Sequence, residues 1–509
     1  MSLRVALLMA AWVAVVSYAG GVTRRAELVA SGERGVHATL ALLVLASVGL
    51  WTALLTSDFS IGYVASHTSA NLPTVYAFSA FWAGRPGSLL LCAVILGGYS
   101  VFAVRGRQDR DNAPYVTGTL GVTMLCLLAA IVLAANPFER LEWLPPDGLG
   151  MSPLLQSPGL VAHAPTIYLG YVATAIPFAL AASGLITRRM TAELIHRVRR
   201  WVLAAWFFMT IGILIGMRWA YVEPEWGGHW ALNPVTNAAA LPWLASSALL
   251  YSLAIQAERR TVRAWNVILV VAVFLLSILA ALVPRSGTLS AAHPIVQSPV
   301  GLLLAGFLAL AIILTGLLAV TRLTDLAIQT EIGEVRPVAR RKYGGYAVGL
   351  GIALVVAGLV GQSFGRAYSV TLRPGETVTL TDPYGRDWRF VSEGISRYDI
   401  LNRHVTAATM SVLRGDSRVG LLTSEWRQYV DSRGVATFEP SQEIGLIETP
   451  LQDVHVLPAR VAGDDSVELR LGFTPLIWWV WLGGAILALG GLLAMWPQRE
   501  PVSGNQPAR

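Results

Sequence analysis

Charge is scarce in this chain. Of its 509 residues only 14% are charged, against roughly 25% in an average globular chain. The deficit excludes an ordinary soluble domain. Apolar runs of about 20 residues recur along the sequence, which makes the chain a polytopic α-helical membrane protein. Lysine is nearly missing: Lys342 is the only one, so almost all basic charge is Arg. The net charge of +7 is no nucleic-acid signal, because much of it sits in short loops between apolar runs, where it sets orientation. Cysteine is scarce too. Cys92 and Cys126 both lie inside apolar runs, which suits small buried hydrophobes better than a disulfide or a metal pair.

What is present is a series of eleven runs long enough to span a bilayer. They cover 4–21, 36–56, 87–104, 114–135, 165–186, 201–217, 238–256, 265–283, 299–320, 344–362 and 475–496. The first is kept as a helix rather than a cleaved signal, since cleavage would leave Arg24, Arg25 and Arg34 outside. Arg clusters mark alternate loops: Arg105, Arg107 and Arg110 in one, Arg188, Arg189, Arg197, Arg199 and Arg200 in another. Four opposite loops carry one basic residue each, Arg85, Arg140, Arg218 and Arg285. The positive-inside rule then puts the Arg-rich loops in the cytoplasm and the N-terminus outside. The aromatic stretch 218–244 then lies on the external, or periplasmic, side. Residues 363–474 form a polar insert on the external side. Its short alternating runs, Tyr368–Leu372 and Thr377–Leu380, and its turns at Arg373-Pro-Gly and Asp382-Pro-Tyr-Gly read as a small β-rich domain. A last helix follows, and 497–509 is a polar tail expected to be disordered. The expected division is therefore a core over 1–362, the β-rich domain over 363–474, the last helix and the tail.

The external loops carry the candidate chemistry. Stretch 218–244 gathers Trp219, Tyr221, Trp226, Trp230 and Trp243 around Gly227-Gly228. Such rings form either an interfacial belt or, being concentrated about a tight turn, a platform for a flat apolar ligand. His163 and His293 stand beside helix starts on the same face, and a neutral imidazole is the commonest haem-iron ligand. Singly, each fits a hydrogen-bonded interface residue better than a ligand; as a pair beside the tryptophans they suggest two axial ligands. His229 is a third candidate. His67, His404 and His455 read as solvated histidines, and His37 and His196 lie on the cytoplasmic side. Arg85, Arg140, Arg218 and Arg285 suit carboxylates such as haem propionates, or local partners among Glu139, Glu223 and Glu225.

With these residues in view the chain resembles the CcmF/NrfE family of cytochrome c haem lyase subunits. The resemblance runs through Tyr63-Val-Ala-Ser66, Gly87-Ser-Leu-Leu90, Asn136-Pro-Phe-Glu-Arg140 and Leu154-Leu-Gln-Ser-Pro-Gly-Leu160. It continues through His163 with Tyr168-Leu-Gly-Tyr171, Trp219-Ala-Tyr221, Trp226-Gly-Gly228, Asn233-Pro-Val-Thr-Asn-Ala238, Pro242-Trp-Leu244, Arg285-Ser-Gly287, His293 and Tyr343-Gly-Gly345. It implies that His163 and His293 ligate haem b brought by a chaperone of CcmE type. It also implies a platform of Trp219, Tyr221, Trp226, Gly227, Gly228, Trp230, Asn233 and Trp243, on which haem meets apocytochrome c. The implied reaction is thioether formation between haem vinyl groups and the thiols of a Cys-x-x-Cys-His segment, with thiol-redox subunits of CcmH type as further partners.

The chain also departs from the family. Tyr251 and Val348 stand where the family has two membrane histidines for a second, structural haem b, so that site is not expected here. In the aromatic stretch Leu232 replaces a Trp, Asn233 an Asp and Thr236 a Glu. Two readings follow: a working haem lyase subunit, and a non-catalytic haem-binding or scaffold paralogue in an assembly or respiratory complex. A small-molecule transporter fits worse, because the helices carry little buried charge.

Overall fold

The computed structural model describes all residues except 106–109, 224–233, 260–263, 286–298, 329–338, 462–465 and 496–509. The described helices are α1 (Ser2–Thr23), α2 (Ala26–Leu55), α3 (Gly62–His67), α4 (Thr74–Ala83), α5 (Arg85–Arg105), α6 (Ala113–Ala134) and α7 (Pro158–Ala173). Then come α8 (Ala175–Thr187), α9 (Ala192–Val222), α10 (Pro234–Arg259), α11 (Ala264–Leu282), α12 (Pro299–Ile328), α13 (Ala339–Gly361) and α14 (Ile477–Met495). Among the described residues, 11 helical segments are long and apolar enough to cross a membrane, with α7 and α8 forming one. The expected all-α polytopic bundle with a β-rich domain before its last helix is what the chain adopts.

The segment boundaries differ from the apolar runs in instructive ways. α7 begins at Pro158, seven residues ahead of the expected start at 165. Two prolines compete for the first helical position, and Ser157 decides between them: its hydroxyl accepts from Gly159 N at 3.3 Å, a cap that Ala164 cannot supply. Pro165 is then absorbed inside the helix. Pro177 has no N–H for the Ala173 carbonyl, so the span breaks at Thr174, whose N–H bonds Tyr171 O instead at 3.2 Å. The loop between α2 and α5 also holds the short helices α3 and α4, whose Tyr63, Phe81 and Trp82 are buried in the bundle.

Lipid offers no hydrophobic drive between helices, so close packing of small residues carries their association. α13 and α14 meet in this way, a Cβ at Gly351 falling only 2.6 Å from Gly483 O. The main core lies among α1, α2, α4, α5, α6, α7 and α8, with Leu43, Leu50, Phe81, Leu90, Leu128 and Ile131 fully buried.

Between α13 and α14 the chain forms nine described strands: β1 (Arg366–Leu372), β2 (Thr377–Thr381), β3 (Asp387–Ile400), β4 (Arg403–Arg414), β5 (Ser417–Tyr429), β6 (Ser441–Glu443), β7 (Gly445–Ile447), β8 (Gln452–Val461) and β9 (Val467–Pro475). They make an antiparallel sheet in the order β1-β9-β8-β7 and another in the order β2-β3-β4-β5-β6. The two pack face to face through Phe390, Met410, Val412, Leu422, Val456 and Phe473. Asp382, fully buried, is the polar hub of this domain. Its carboxylate accepts from Arg386 Nε at 2.8 Å, Trp388 Nε1 at 3.0 Å and Gln452 Nε2 at 2.8 Å, and from the N–H groups of Tyr384 and Arg386.

Candidate functional site

His163 lies in the second turn of α7 and is half-buried against α9. Its Nδ1 is 2.8 Å from Gly212 O. A carbonyl oxygen only accepts, so Nδ1 carries the proton and Nε2 keeps a bare lone pair. That is the arrangement of a metal-ligating imidazole, with a backbone carbonyl fixing tautomer and ring orientation.

Glycines on both helices make the contact possible. A Cβ at Gly216 would fall 2.7 Å from His163 Cε1, and one at Gly212 would fall 2.8 Å from Ile167 Cα. One helix turn beyond Gly216, Trp219 places its ring 5.9 Å from the imidazole, tilted by 49°. It lies over Gly159, where a Cβ would meet Trp219 Cγ at 2.3 Å. From α4, the buried Trp82 donates Nε1–H to Leu160 O of α7 at 3.2 Å. None of Gly159, Gly212, Gly216 and Trp82 entered the sequence reading as a site residue. The legible signal was Gly212-x-x-x-Gly216, the spacing at which two membrane helices approach closely.

Beside this pair runs a groove of about 610 Å³, lined among others by Gly159, Leu214, Arg218, Trp219, Trp481 and Gly484. Its volume is that of a small-ligand site and its walls are mostly apolar. Arg218 is its cation. Nη2 is 2.7 Å from Glu448 Oε1 of the β-rich domain. The guanidinium also lies 5.7 Å from the ring of Tyr221 and 5.5 Å from that of Trp481. Nη1 is enclosed and has no hydrogen-bond partner among the described residues. Among the described residues the ion-pair partner of Arg218 is Glu448. It comes from a domain 230 residues further on, which no local pattern reports.

Tyr221 faces away from Trp219. Its hydroxyl donates to Asp453 Oδ2 at 3.1 Å, since a residue two places from Trp219 points to the other side of a helix. Asp453 is fully buried. Burial pushes its carboxyl up to about 6, Glu448 adds to the rise, and the Tyr221 hydroxyl, Thr449 N–H and Arg218 act the other way. For an acid raised in the folded state, the stabilisation is complete below the ordinary 3.8 and is lost as pH rises through about 6. The end of α9 is therefore expected to exchange its amides more slowly at pH 5 than at pH 7.5, after correction for intrinsic rates. Asp453→Asn should remove the difference.

The remaining residues of the sequence reading are dispersed. Trp243 of α10 donates to Thr210 Oγ1 at 2.8 Å and stacks on Trp206 at 6.1 Å. Thr210 is nine residues from Trp219 on α9, about 13 Å along the helix, so Trp243 joins a deeper contact instead of the His163–Trp219 pair. Arg85 opens α5 and Arg140 pairs by backbone with Ile61; both side chains are exposed. Arg285 closes the short turn Val283–Arg285. Tyr251 is 71% exposed on α10, and the half-buried Val348 packs on Gly490 of α14. His293, His229, Trp226, Gly227, Gly228, Trp230 and Asn233 lie outside the described residues, as does 497–509.

Two histidines read as solvated are in fact packed. His67 stacks on Tyr63 at 4.3 Å. The ring of His455 is held against Gly472, and burial pushes it down to about 4. The exposed His404 pairs with Asp399 at 2.6 Å. Cys92 and Cys126 are not joined in a disulfide.

A family model described as "Cytochrome C assembly protein" matches residues 82–290, a stretch that contains the whole α7–α9 contact. The chain is 30% identical to "Probable cytochrome c-type biogenesis protein NrfE" of Escherichia coli (strain K12), over 91% of this chain and 94% of that one. It is 28% identical to "Cytochrome c-type biogenesis protein CcmF" of Pseudomonas fluorescens, over 92% and 91%. A solved structure titled "Cytochrome c Heme Lyase CcmF" shares the fold, with a TM-score of 0.80 and 21% identity over 97% of each chain.

Proposed function

Because the chain belongs to the CcmF/NrfE family of cytochrome c biogenesis proteins, we propose that it holds haem b as a substrate at the periplasmic face of the bacterial inner membrane and takes part in its covalent attachment to apocytochrome c. The observation that carries this reading is the His163 imidazole, with Nδ1–H committed to Gly212 O and Nε2 left as a ligand beside Trp219. His293 is the proposed second ligand. Trp219 offers an apolar face to a porphyrin edge, and the Nη1 of Arg218, without a partner among the described residues, suits a propionate.

Attachment adds each thiol across a vinyl double bond. A C–S bond forms at the inner vinyl carbon and the thiol proton ends on the terminal carbon, so no group leaves. The nucleophile belongs to the apocytochrome. What this chain contributes is orientation, and well-oriented intramolecular reactions gain roughly 7–11 kcal/mol in this way. A haem chaperone of CcmE type would bring the haem, and subunits of CcmH type would keep the thiols reduced.

A second reading has its own support. Tyr251 is turned outward and Val348 is packed on α14, so neither offers a ligand for a membrane haem, which suits a paralogue that binds or scaffolds without catalysing. Purified protein should carry haem by absorption spectrum, and His163→Ala or His293→Ala should each lower its affinity by about tenfold or more. Haem retained at wild-type affinity in both variants would refute ligation. Haem-free protein that copurifies with maturation subunits would favour the scaffold.

A further inference from the structure

Among the described residues, the β-rich domain contacts the ends of both helices that meet at His163, in addition to Asn71 and the start of α14. The first is the approach to α7. Asn402 Nδ2 donates to Gln156 Oε1 at 2.9 Å, and Gln156 Nε2 donates to Met151 O at 2.8 Å. Gln156 is immediately followed by Ser157, the cap of α7. Close by, Asp147 accepts from Ser432 N at 3.1 Å and from its hydroxyl, and Asn71 Nδ2 donates to Val430 O at 3.0 Å. Gln156, Asn402 and Asp147 are all buried. The second place is the end of α9, where Tyr221 bonds Asp453 and Arg218 pairs with Glu448. Leu446 of β7 packs there against α9 and α14.

Each joint alone would hold a domain on a bundle. Together they do more, because one β domain spans the external ends of two separate helices. Gln156 lies seven residues before His163, and Tyr221 five residues beyond Gly216. A rotation of either helix would separate Nδ1 from Gly212 O, since the imidazole reaches that carbonyl only where α7 lies in the glycine face of α9. We propose that the β domain is a brace that sets the α7–α9 approach, making Gln156, Asn402, Tyr221 and Asp453 positioning residues for the His163 imidazole. The proposal rests on His163 as a haem ligand for its consequence, though the brace itself is a property of the protein without haem.

The test uses the full chain in detergent with haem supplied as hemin. Asn402→Ala/Asp453→Leu removes a buried hydrogen bond from each joint, whereas Asp453→Asn keeps an acceptor for Tyr221. In the double variant haem affinity should fall about tenfold, and the low-spin spectrum should move toward high spin at unchanged helix and strand content. Amides in 160–170 and 212–222 should exchange about tenfold faster. Asp453→Asn alone, with Asn402 intact, should leave both signals as in the wild type. A double variant with wild-type spectrum, affinity and exchange overturns the brace. If the wild type binds no hemin, the haem reading fails and exchange alone decides: faster exchange in the double variant supports the brace, unchanged protection refutes it. Should the double variant not fold, Asn402→Ala alone is read in the same way.

Discussion

Gly216→Val should deprive the protein of its haem while leaving the membrane bundle folded. A Cβ at this position already falls 2.7 Å from both Cε1 and Nδ1 of His163, and the two γ-methyls of Val reach further. The ring has nowhere to withdraw, being tied to Gly212 O and flanked by Trp219. Helix α9 itself does not suffer, since replacing a helical Gly recovers some of the roughly 1 kcal/mol that Gly costs relative to Ala. The expected result is a fall in hemin affinity of about tenfold to a hundredfold at unchanged helix content, with Gly216→Ala in between. Hemin titration beside circular dichroism measures it. A Val variant with wild-type affinity would mean that the His163 ring is not what holds the iron.

Asp382→Ala should unfold the β domain or bring it close to unfolding. Removing the carboxylate leaves the Arg386 guanidinium, the Trp388 indole and the Gln452 amide without their common acceptor in the interior. Breaking a buried ion pair of this kind costs about 3–5 kcal/mol, much of the 5–15 kcal/mol that a domain typically has. Burial alone would raise this carboxyl, but hydrogen bonds from Arg386, Trp388 and Gln452 outweigh it and hold it near about 2. Its contribution is therefore complete above the ordinary 3.8 and is lost as pH falls through about 2, opposite in sign to that of Asp453. Hydrogen exchange over 366–475 at pH 7 should show protection lost throughout the domain in the variant. Local loss confined to the 382–386 turn would show that the hub is not shared by both sheets.

Several features were legible before any coordinate. Apolar runs mark the spanning helices because lipid forces every backbone polar group to be satisfied within the segment. The alternating insert and its turns mark the β domain for a similarly local reason: strands alternate faces residue by residue. Ordered short motifs from Tyr63 to Tyr343 carried the family resemblance. Reading failed where two nearby signals competed. Pro165 is as good a helix opener as Pro158 until the Ser157 cap is weighed, and the error put His163 in a loop instead of a helix turn.

What the sequence by itself determined is therefore the membrane architecture, the inserted domain, the family and the residue types that could hold a haem. Tertiary structure alone decided that Trp219 but not Tyr221 or Trp243 stands beside His163, that Arg218 answers to Glu448, and that one domain grips both helices. The physical reason is range. Periodicity, capping and charge alternation act over a few residues and are written in neighbours, whereas Asn402–Gln156 and Asp453–Tyr221 join positions more than two hundred residues apart, and only the packed chain brings such partners within a hydrogen bond.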